Sequence, residues 1–339
     1  MIPVWKDRDV YISATEPLKY FIEYYGGDTV FDGVAMPKPD TTNITIRIND
    51  FAKNMVDSNV NADIIFDIQG DMDYFIIPNY CRKIAIGKRN EDNGNTLIFS
   101  DYFCNDYDYN SMGEYVYDDV YELNSKLGKV VGKGHTFFTV FNTYEHSISF
   151  DFGYKMGIDA TNNFGNISIP AMTAIILVVR DLPVGAEVYY NFEGFPDVTL
   201  GKVVDSCNSY KLHYINAKGG YETLPIDGRK DKRTDSLTFE YYKTRGNNQN
   251  INKPQMNKFK VDITPKWELQ TGWLNDEQSQ KMYNLFTSQK VWLENIETGE
   301  ITPVYITNNA VDYKTFTNNG KRKINYTISV TSANTLIKL

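Results

Sequence analysis

Hydrophobic and polar side chains alternate in several segments of this chain. In TNITIRIND, Ile44, Ile46 and Ile48 alternate with Thr45 and Arg47, so three isoleucines share one face of an extended strand. The same period of two recurs in SISFDF, LTFEYY, FKVDI and INYTISV. Such alternation is typical of antiparallel sheets with one covered face and one solvated face. The pattern predicts a mainly β protein built from antiparallel β-sandwich or barrel domains.

Turn signals and one helix signal lie between these strands. Four dipeptides predict tight hairpins, because Gly or Asn supplies the positive φ that such turns need. They are Asn93-Gly94, Gly219-Gly220, Thr298-Gly299 and Asn319-Gly320. One short helix is predicted in the C-terminal domain at residues 275–288, with Asn275 as its N-cap. Met282, Leu285 and Phe286 form its apolar stripe and are expected to pack on the C-terminal sheet.

Changes in composition along the chain predict three regions. Residues 1–60 form an N-terminal β region, which ends in the polar stretch DSNVNAD. Residues 61–200 form a β-sandwich domain that carries an acidic, tyrosine-rich insertion at about residues 101–134. Residues 201–339 form the C-terminal β domain that contains the helix. The longest apolar stretch, residues 171–179, is about half the length that crosses a bilayer, so it predicts a buried strand and no membrane span.

Composition narrows the class of protein. The 339 residues carry a formal net charge of −8, which excludes a globally basic nucleic-acid coat. Aromatic residues make up 14% of the chain and histidines number only three, which favours sheets and leaves little histidine for catalysis. The N-terminal sequence has no signal-peptide pattern, so export by the usual route is not expected.

The three cysteines are widely spaced and form no C-x-x-C motif, which argues against a zinc site of the usual kind. They are interpreted as reduced thiols. A Cys81–Cys104 disulfide flanking the Asn93-Gly94 turn is the less favoured alternative, because nothing else in the sequence indicates an oxidising compartment.

One segment partly matches a calcium loop. NDYDYN offers Asp106, Asp108 and Asn110 at the first three ligand positions, but Ser111 replaces the turn glycine and Tyr117 replaces the final glutamate. A solvated acidic loop is therefore preferred to a structural calcium site. We predict that the fold needs no metal and no organic cofactor.

Catalytic motifs are absent from the sequence. It contains no nucleophile elbow, phosphate-binding loop or zinc-protease motif, and no histidine has a partner at diagnostic spacing. His146 and His213 are interpreted as hydrogen-bonded sheet residues. Acidic pairs such as Asp71 and Asp73 could serve a polysaccharide-degrading enzyme, but 43 acidic residues produce such pairs by chance. The chain is predicted not to be an enzyme.

A cluster of tyrosines lies in the acidic insertion. YVYDDVY combines Tyr115, Tyr117 and Tyr121 with Asp118 and Asp119. Protein interfaces favour this tyrosine-rich chemistry, and carbohydrates bind to the same mixture of stacking faces and acceptors. The insertion is interpreted first as an interaction surface and second as a glycan site.

Charge is segregated along the chain. Residues 101–122 contain seven acids and no base, a net charge of −7, and Asp106 and Asp108 belong to this acidic segment. Residues 229–260 contain nine bases and three acids, a net charge of +6. The basic interface candidates are Arg229, Lys230, Lys232 and Arg233. Opposite patches on one chain predict a head-to-tail contact between copies that can close into a ring; the alternative is two independent solvated faces.

Three stretches in the C-terminal third carry a resemblance to a known group of proteins. They are YKLHYINAKGGYETLPIDGRKD, WELQTGWLNDEQSQKMYNLFTSQKVWLENIETGEITPVYIT and VDYKTFTNNGKRKINYTISV. This part, residues 210–331, resembles virion tail or hub-type structural proteins of tailed phages of gut Bacteroidetes, including crAss-like phages. The shared patterns are architectural: a strand before a Gly-Gly turn, a T-G-W-L segment entering a helix, and a Y-K-T strand before an Asn-Gly hairpin.

The resemblance implies a non-enzymatic virion protein that forms an oligomeric ring or hub in the tail or at the head–tail connection. Its expected partners are copies of itself and other tail or portal-proximal proteins, with nucleic acid encountered at most as the genome passes through a channel. It implies assembly in the cytoplasm of the bacterial host and a final location in the virion tail. The alternative function is a carbohydrate-binding or adhesion module that binds a receptor from the tail.

Overall fold

The computed structural model describes residues 1–6, 8–24, 29–37, 42–90, 94–107, 115–124, 130–157, 160–192, 196–205, 210–242, 256–272, 274, 279, 282–308, 325–334 and 336–338. The structure is 60% strand and 5% helix, and its sheets are largely antiparallel, as in a β-sandwich, apart from the parallel pair of β1 (Ile2–Pro3) and β8 (Asn95–Cys104). The mainly β prediction is confirmed. No sheet closes into a barrel within the described ranges, so the sandwich alternative is the one that the fold takes.

The first half of the chain contributes strands β1 (Ile2–Pro3), β2 (Asp9–Ser13), β3 (Leu18–Tyr24), β4 (Thr29–Ala35), β5 (Asn43–Arg47), β6 (Met72–Ile77), β7 (Cys81–Arg89), β8 (Asn95–Cys104), β9 (Val120–Glu122), β10 (Val130–Val131), β11 (His135–Asn142), β12 (Ile148–Met156) and β13 (Ala160–Ile169). The second half contributes β14 (Thr173–Arg180), β15 (Glu187–Phe192), β16 (Val198–Val204), β17 (Tyr210–Ile215), β18 (Tyr221–Ile226), β19 (Lys230–Tyr242), β20 (Met256–Gln270), β21 (Val291–Asn295), β22 (Glu300–Ile306), β23 (Thr327–Ser332) and β24 (Leu336–Lys338). The helices among the described residues are α1 (Asn49–Ala52), α2 (Ala62–Ile65) and α3 (Tyr283–Phe286).

The chain folds into two compact units. Unit 1 comprises Met1–Ser125, His135–Val204 and Ile215–Glu222; unit 2 comprises Lys126–Gly134, Asp205–Tyr214 and Thr223–Leu339. This division differs from the three predicted regions, because residues 1–60 and 61–200 fall in the same unit. The reason is strand pairing: β1 pairs with β8, and β3 pairs with β7, so both regions contribute to one sheet.

The first part of unit 1 is a sandwich with a predominantly aliphatic core. A five-stranded sheet has the order β1-β8-β7-β3-β4, and β2 pairs with β5 in a second sheet. Side chains from both sheets share one buried cluster, in which Ile44, Ile46 and Ile48 lie with Ile22 and Ile84. The predicted alternation in TNITIRIND therefore identified a true core face.

The second part of unit 1 contains a sheet of order β6-β14-β11-β9 and a sheet in which β16, β15, β12 and β13 are successive neighbours. Strand β14 is buried along most of its length, which confirms the buried strand predicted from the apolar stretch at residues 171–179. Every residue of β11 is buried, so both faces of that strand are covered. On one face the ring of Tyr80 packs edge-on against Phe141, with centroids 4.8 Å apart. The Asn142 side chain donates a hydrogen bond to the carbonyl of Pro170 at 2.9 Å.

Residues 215–222 form a turn inside unit 1, which we call the buried turn. The Asn216 side chain forms hydrogen bonds with backbone groups of this turn and with neighbouring residues. Its Oδ1 accepts hydrogen bonds from the backbone N–H groups of Lys218 and Gly220, both at 3.0 Å. Its Nδ2 donates to the Leu123 carbonyl at 2.9 Å and to the Glu222 carboxylate at 3.1 Å. The Asn216 side chain therefore stabilises the turn and also links it to Leu123.

Tyr221 and Gly219 fix the buried turn against neighbouring strands and loops of unit 1. The Tyr221 backbone N–H donates to Thr139 Oγ1 at 2.7 Å, and its hydroxyl donates to the Ser58 carbonyl at 2.9 Å. Gly219 has a φ of +75°, and a Cβ there would lie 2.4 Å from Ser58 Oγ and 2.5 Å from the Asn105 carbonyl oxygen. Glycine adopts a positive φ readily and has no Cβ, so it is the one residue that fits here without movement of its neighbours.

Unit 2 is built on one large sheet of order β18-β17-β21-β22-β23-β20-β19, with β24 also paired to β20. Met282 and Leu285 are fully buried in its core, and Phe286 packs against that core. The predicted apolar stripe is thus confirmed. Helix α3 lies within the predicted range and Ser279 is also helical, while the predicted N-cap Asn275 and residues 276–278, 280 and 281 lie outside the described residues.

Three of the four predicted hairpins are confirmed. The strand pairs β7–β8, β17–β18 and β21–β22 are neighbours in their sheets, and they flank the turns at Gly94, Gly219-Gly220 and Gly299. The fourth, Asn319-Gly320, lies outside the described residues.

We expect Leu285→Ala to destabilise unit 2 by about 2 to 5 kcal/mol, because it removes a fully buried side chain and leaves a cavity in the core. Urea unfolding followed by tryptophan fluorescence measures the change. Leu97→Ala is the control, since Leu97 is 49% exposed and its truncation should cost less than about 1 kcal/mol. Equal midpoints for the two variants would show that α3 does not stabilise the core.

Candidate interaction surfaces

The acidic turn, residues 116–119, presents two apolar or aromatic side chains beside two acids. Val116 is 65% exposed and Tyr117 is 41% exposed. Asp118 has a φ of +59°, a backbone conformation that Asp tolerates better than most residues. The Thr143 hydroxyl donates to the Asp119 carbonyl at 2.8 Å and accepts from the Asp119 backbone N–H at 2.8 Å. The turn is therefore anchored while its side chains face solvent.

Two residues predicted to belong to this surface contact each other: Asp106 is buried and Tyr115 is half-buried. Asp106 is fully buried, and the Tyr115 hydroxyl donates to its carboxylate at 2.7 Å. The Tyr115 ring packs edge-on against Tyr121 at 5.0 Å and Phe141 at 5.5 Å. Burial raises the pKa of Tyr115 well above its usual value, with the Asp106 charge adding to the effect. Asp106 is therefore not available to a partner, whereas the interface prediction for the half-buried Tyr115 stays a prediction.

Two of the three tyrosines in the predicted glycan platform, Tyr115 and Tyr121, are half-buried. Tyr121 packs on Tyr115, and its hydroxyl accepts a hydrogen bond from the Val116 backbone N–H at 3.2 Å. Of the three tyrosines only Tyr117 is exposed; its hydroxyl donates to Asp101 at 3.2 Å, and burial raises its pKa.

The calcium-like loop can be followed only in part. Asp108 and Asn110 lie outside the described residues, and Asp106 is engaged with Tyr115. Across the described ranges, no three His, Cys, Asp or Glu side chains cluster in a way that could hold a metal ion.

The basic segment carries many of its own counter-charges. Arg229 pairs with Asp231 at 2.9 Å. Arg233 lies 3.8 Å from both Asp235 and Glu268. Both arginines are well exposed, so each pair contributes little to stability and mainly neutralises the surface. The basic segment is therefore more nearly neutral on the folded surface than its excess of bases in the sequence indicates.

The two lysines of the predicted patch differ in their surroundings. Lys232 is exposed, and its ammonium lies 5.4 Å from the ring centroid of Trp267 in a cation–π contact, whereas Lys230 is half-buried. Lys266 pairs with Asp235 at 2.5 Å and lowers the pKa of that carboxyl group. With Arg229 included, β19 and β20 carry seven bases and five acids, a net charge of +2. The patch is of mixed sign and weakly basic.

Strands β19 and β20 form a ribbon that extends beyond the rest of the sheet. β19 is an edge strand of the sheet. β20 pairs with β23 along residues 266–270 and with β24 along residues 261–263. At residues 256–260, β19 is the one pairing partner of β20 among the described strands. On the exposed face of the ribbon lie Leu237, which is 61% exposed, and Phe239, which is 36% exposed.

A buried polar network lies on the unit 2 sheet. His213 hydrogen-bonds through Nδ1 to Thr223 Oγ1 at 2.9 Å and through Nε2 to the Glu294 carboxylate at 3.0 Å. His213 and Lys211 are fully buried. The prediction of a hydrogen-bonded sheet histidine is confirmed for His213, whereas His146 lies in an exposed bend beside β12. The arrangement resembles a catalytic triad in chemistry, but its burial keeps substrate away and favours a structural role.

Unit 1 also has a small groove at the edge of β6 that sequence reasoning missed. Its volume is about 170 Å³, and its lining includes Asp73, Tyr74, Phe152, Phe164, Asn166 and Ile167. Phe164 is 42% exposed, and its ring packs against Tyr154 with centroids 5.6 Å apart. The groove combines aromatic faces with a carboxylate and an amide. The only signal in the sequence was the acid at position 73, which was considered for catalysis.

Comparison of the chain with models of known protein families, with curated proteins and with solved structures gives no match. In the part of the chain that the structure describes, no helix has the length and apolar character needed to span a membrane.

Proposed function

We propose that this chain is a non-enzymatic structural protein of a tailed-phage virion, where it assembles into an oligomeric ring or hub in the tail or at the head–tail connection. The resemblance of residues 210–331 to tail and hub proteins supports the class of protein. The observation that carries the proposal is the ribbon of β19 and β20, which offers an edge strand and exposed apolar side chains to a neighbour.

The physical argument rests on the marginal stability of a two-stranded ribbon in water. Such a ribbon gains stability when a further strand or a packed surface covers it. Within the described region, residues 239–242 of β19 pair only with residues 256–260 of β20. A partner that covers Leu237 and Phe239 would bury apolar surface and stabilise the ribbon.

The charge pattern of β19 restricts where a partner binds. Five of the six residues at positions 230–235 are charged, whereas Glu240 is the only charged residue at positions 236–242. Charges on an edge strand prevent indiscriminate pairing with other strands. The segment at 236–242 is therefore the docking segment, and the charged segment sets register.

The acidic turn supplies a matching surface on a second copy. Asp118 and Asp119 are exposed beside Val116 and Tyr117, and the turn is anchored through Thr143. Aromatic and apolar contacts supply most of the affinity, while the acids steer approach towards the lysines of β19. A head-to-tail contact of this kind closes into a ring when the rotation between copies permits.

We expect the purified chain to form a discrete large oligomer in mass photometry and Leu237→Lys to shift it to the monomer. The new lysine lies opposite Asp262, which already pairs with Lys260 at 3.1 Å, so the added charge has a carboxylate of its own chain beside it and the strand is kept. The substitution therefore removes only the apolar contact that residue 237 makes with a neighbouring copy in the proposed assembly.

Val184→Lys is the matched control, because Val184 is 56% exposed and lies between β14 and β15 of unit 1, outside both proposed contact segments. It should keep the oligomer. A monomeric wild-type protein, or a Leu237→Lys variant that assembles like the wild type, would contradict the proposed assembly.

A second candidate function is glycan binding from the tail, and the groove beside β6 favours it. Tyr74 and Phe164 provide faces for stacking against a sugar ring, and Asp73 and Asn166 provide acceptors and donors for its hydroxyl groups. The groove accommodates one sugar unit at most, so affinity would come from repetition around an oligomer.

If this candidate function holds, Phe164→Ala should weaken binding to an immobilised panel of bacterial capsular polysaccharides by about tenfold, through loss of a stacking face. Tyr11→Ala is the control, since Tyr11 is 68% exposed and lies in the other sandwich of unit 1. Biolayer interferometry measures both. Absence of binding to every polysaccharide, or equal binding by the two variants, would exclude the groove as a glycan site.

A further inference from the structure

Two thiols meet where β7 begins and β8 ends. Cys81 lies directly opposite Cys104 in the antiparallel register. Both are free cysteines, and their Sγ atoms are 3.1 Å apart. Their position depends on the strand register, which the covered core face fixes.

The local hydrogen-bond pattern places this pair at a site that suits a cross-link. The Asn105 backbone N–H donates to the Tyr80 carbonyl at 2.8 Å, so Tyr80 and Asn105 form a hydrogen-bonded pair. Hydrogen-bonded and non-hydrogen-bonded pairs alternate along an antiparallel ladder, which makes Cys81 and Cys104 a non-hydrogen-bonded pair. Side chains of such pairs lie closer together, within the Cα and Cβ separations that a disulfide requires.

The two thiols differ in access to solvent. Cys81 is half-buried, whereas Cys104 is fully buried. Burial raises the pKa of Cys104 well above its usual value, and its hydrogen bond to Cys81 adds to the effect. A buried thiol of this kind is a poor nucleophile, so an external reagent reaches and reacts with Cys81 first.

We propose that Cys81 and Cys104 form a thiol–disulfide exchange site that a low-molecular-weight disulfide oxidises to a cross-strand disulfide. The Cys81 thiolate attacks one sulfur of the reagent, forms a mixed disulfide and releases one thiolate. The Cys104 thiol then attacks Cys81 Sγ and passes its proton to the second thiolate as that thiolate leaves. The reagent gains two electrons and two protons and leaves as two thiols, and the protein gains one S–S bond.

The disulfide would fix the point where β1, the end of β8 and the loop at Ser58 meet, which we call the junction of unit 1. The Val4 backbone N–H donates to the Cys104 carbonyl at 3.1 Å, which ties β1 to the same point. The adjacent Asn105 side chain donates to Ser58 Oγ at 2.6 Å beside the buried turn. Because the bond closes the loop between the two cysteines, oxidation restricts the unfolded chain and stabilises unit 1. The inference does not depend on the proposed function.

The test uses the full chain with Cys207→Ser, which removes the third thiol of the sequence. The folded protein is treated with oxidised glutathione at pH 8, and its intact mass and melting temperature are measured. We expect a mass loss of two hydrogens, no retained glutathione, and a rise in Tm on the order of 5 °C that dithiothreitol reverses.

Two single variants make the outcome decisive. Cys104→Ser should retain one glutathione on Cys81, and Cys81→Ser should react far more slowly, because Cys104 is buried. Two retained glutathiones on the parent protein, or reaction only under denaturing conditions, would overturn the proposal. Loss of two hydrogens with an unchanged Tm would overturn its claim about the junction.

Discussion

The constraint on which unit 1 depends is the burial of a polar turn. A turn in the interior must find a partner for each backbone N–H and C=O, because an unpaired group there costs about as much as a lost hydrogen bond. In the buried turn, the Asn216 side chain accepts from the backbone N–H groups of Lys218 and Gly220 and donates to the Leu123 carbonyl and the Glu222 carboxylate. Tyr221 ties the turn to Thr139 on β11 and to Ser58 in a separate loop.

Burial of this turn explains why β11 has two covered faces. One face carries Thr139, which binds the turn, and aromatic side chains that pack with Tyr80 and Tyr115. The other face carries Asn142, whose amide satisfies carbonyls at the end of β13. Among the described acids of residues 101–122, Asp118 and Asp119 in the acidic turn are exposed, whereas Asp106 is buried. The proposed assembly accordingly uses small, anchored surfaces rather than whole sheet faces.

Local periodicity predicted the fold class, the aliphatic core strands, three hairpins and the buried stripe around Leu285, because these features depend on side chains close in sequence. The candidate surfaces depend on distant residues and were predicted less well. Asp106 and Tyr115 have the polarity of surface residues, and only the fold shows that they satisfy one another. Glu294 lies far from His213 in sequence, so no spacing rule could pair them. Counter-charges on β20 likewise became visible only with the strand register.

The central claim, that the buried turn controls the stability of unit 1, is tested most directly by two alanine substitutions. Gly219 and Gly185 both have positive φ, +75° and +90°, but a Cβ at Gly185 would have no neighbour within 4 Å. Gly185→Ala should therefore cost only backbone strain, about 1 to 2 kcal/mol. Gly219→Ala should cost about 2 to 5 kcal/mol, since overpacking adds to the same strain. Urea unfolding that shows this difference supports the account, and equal free energies of unfolding for the two variants would contradict it.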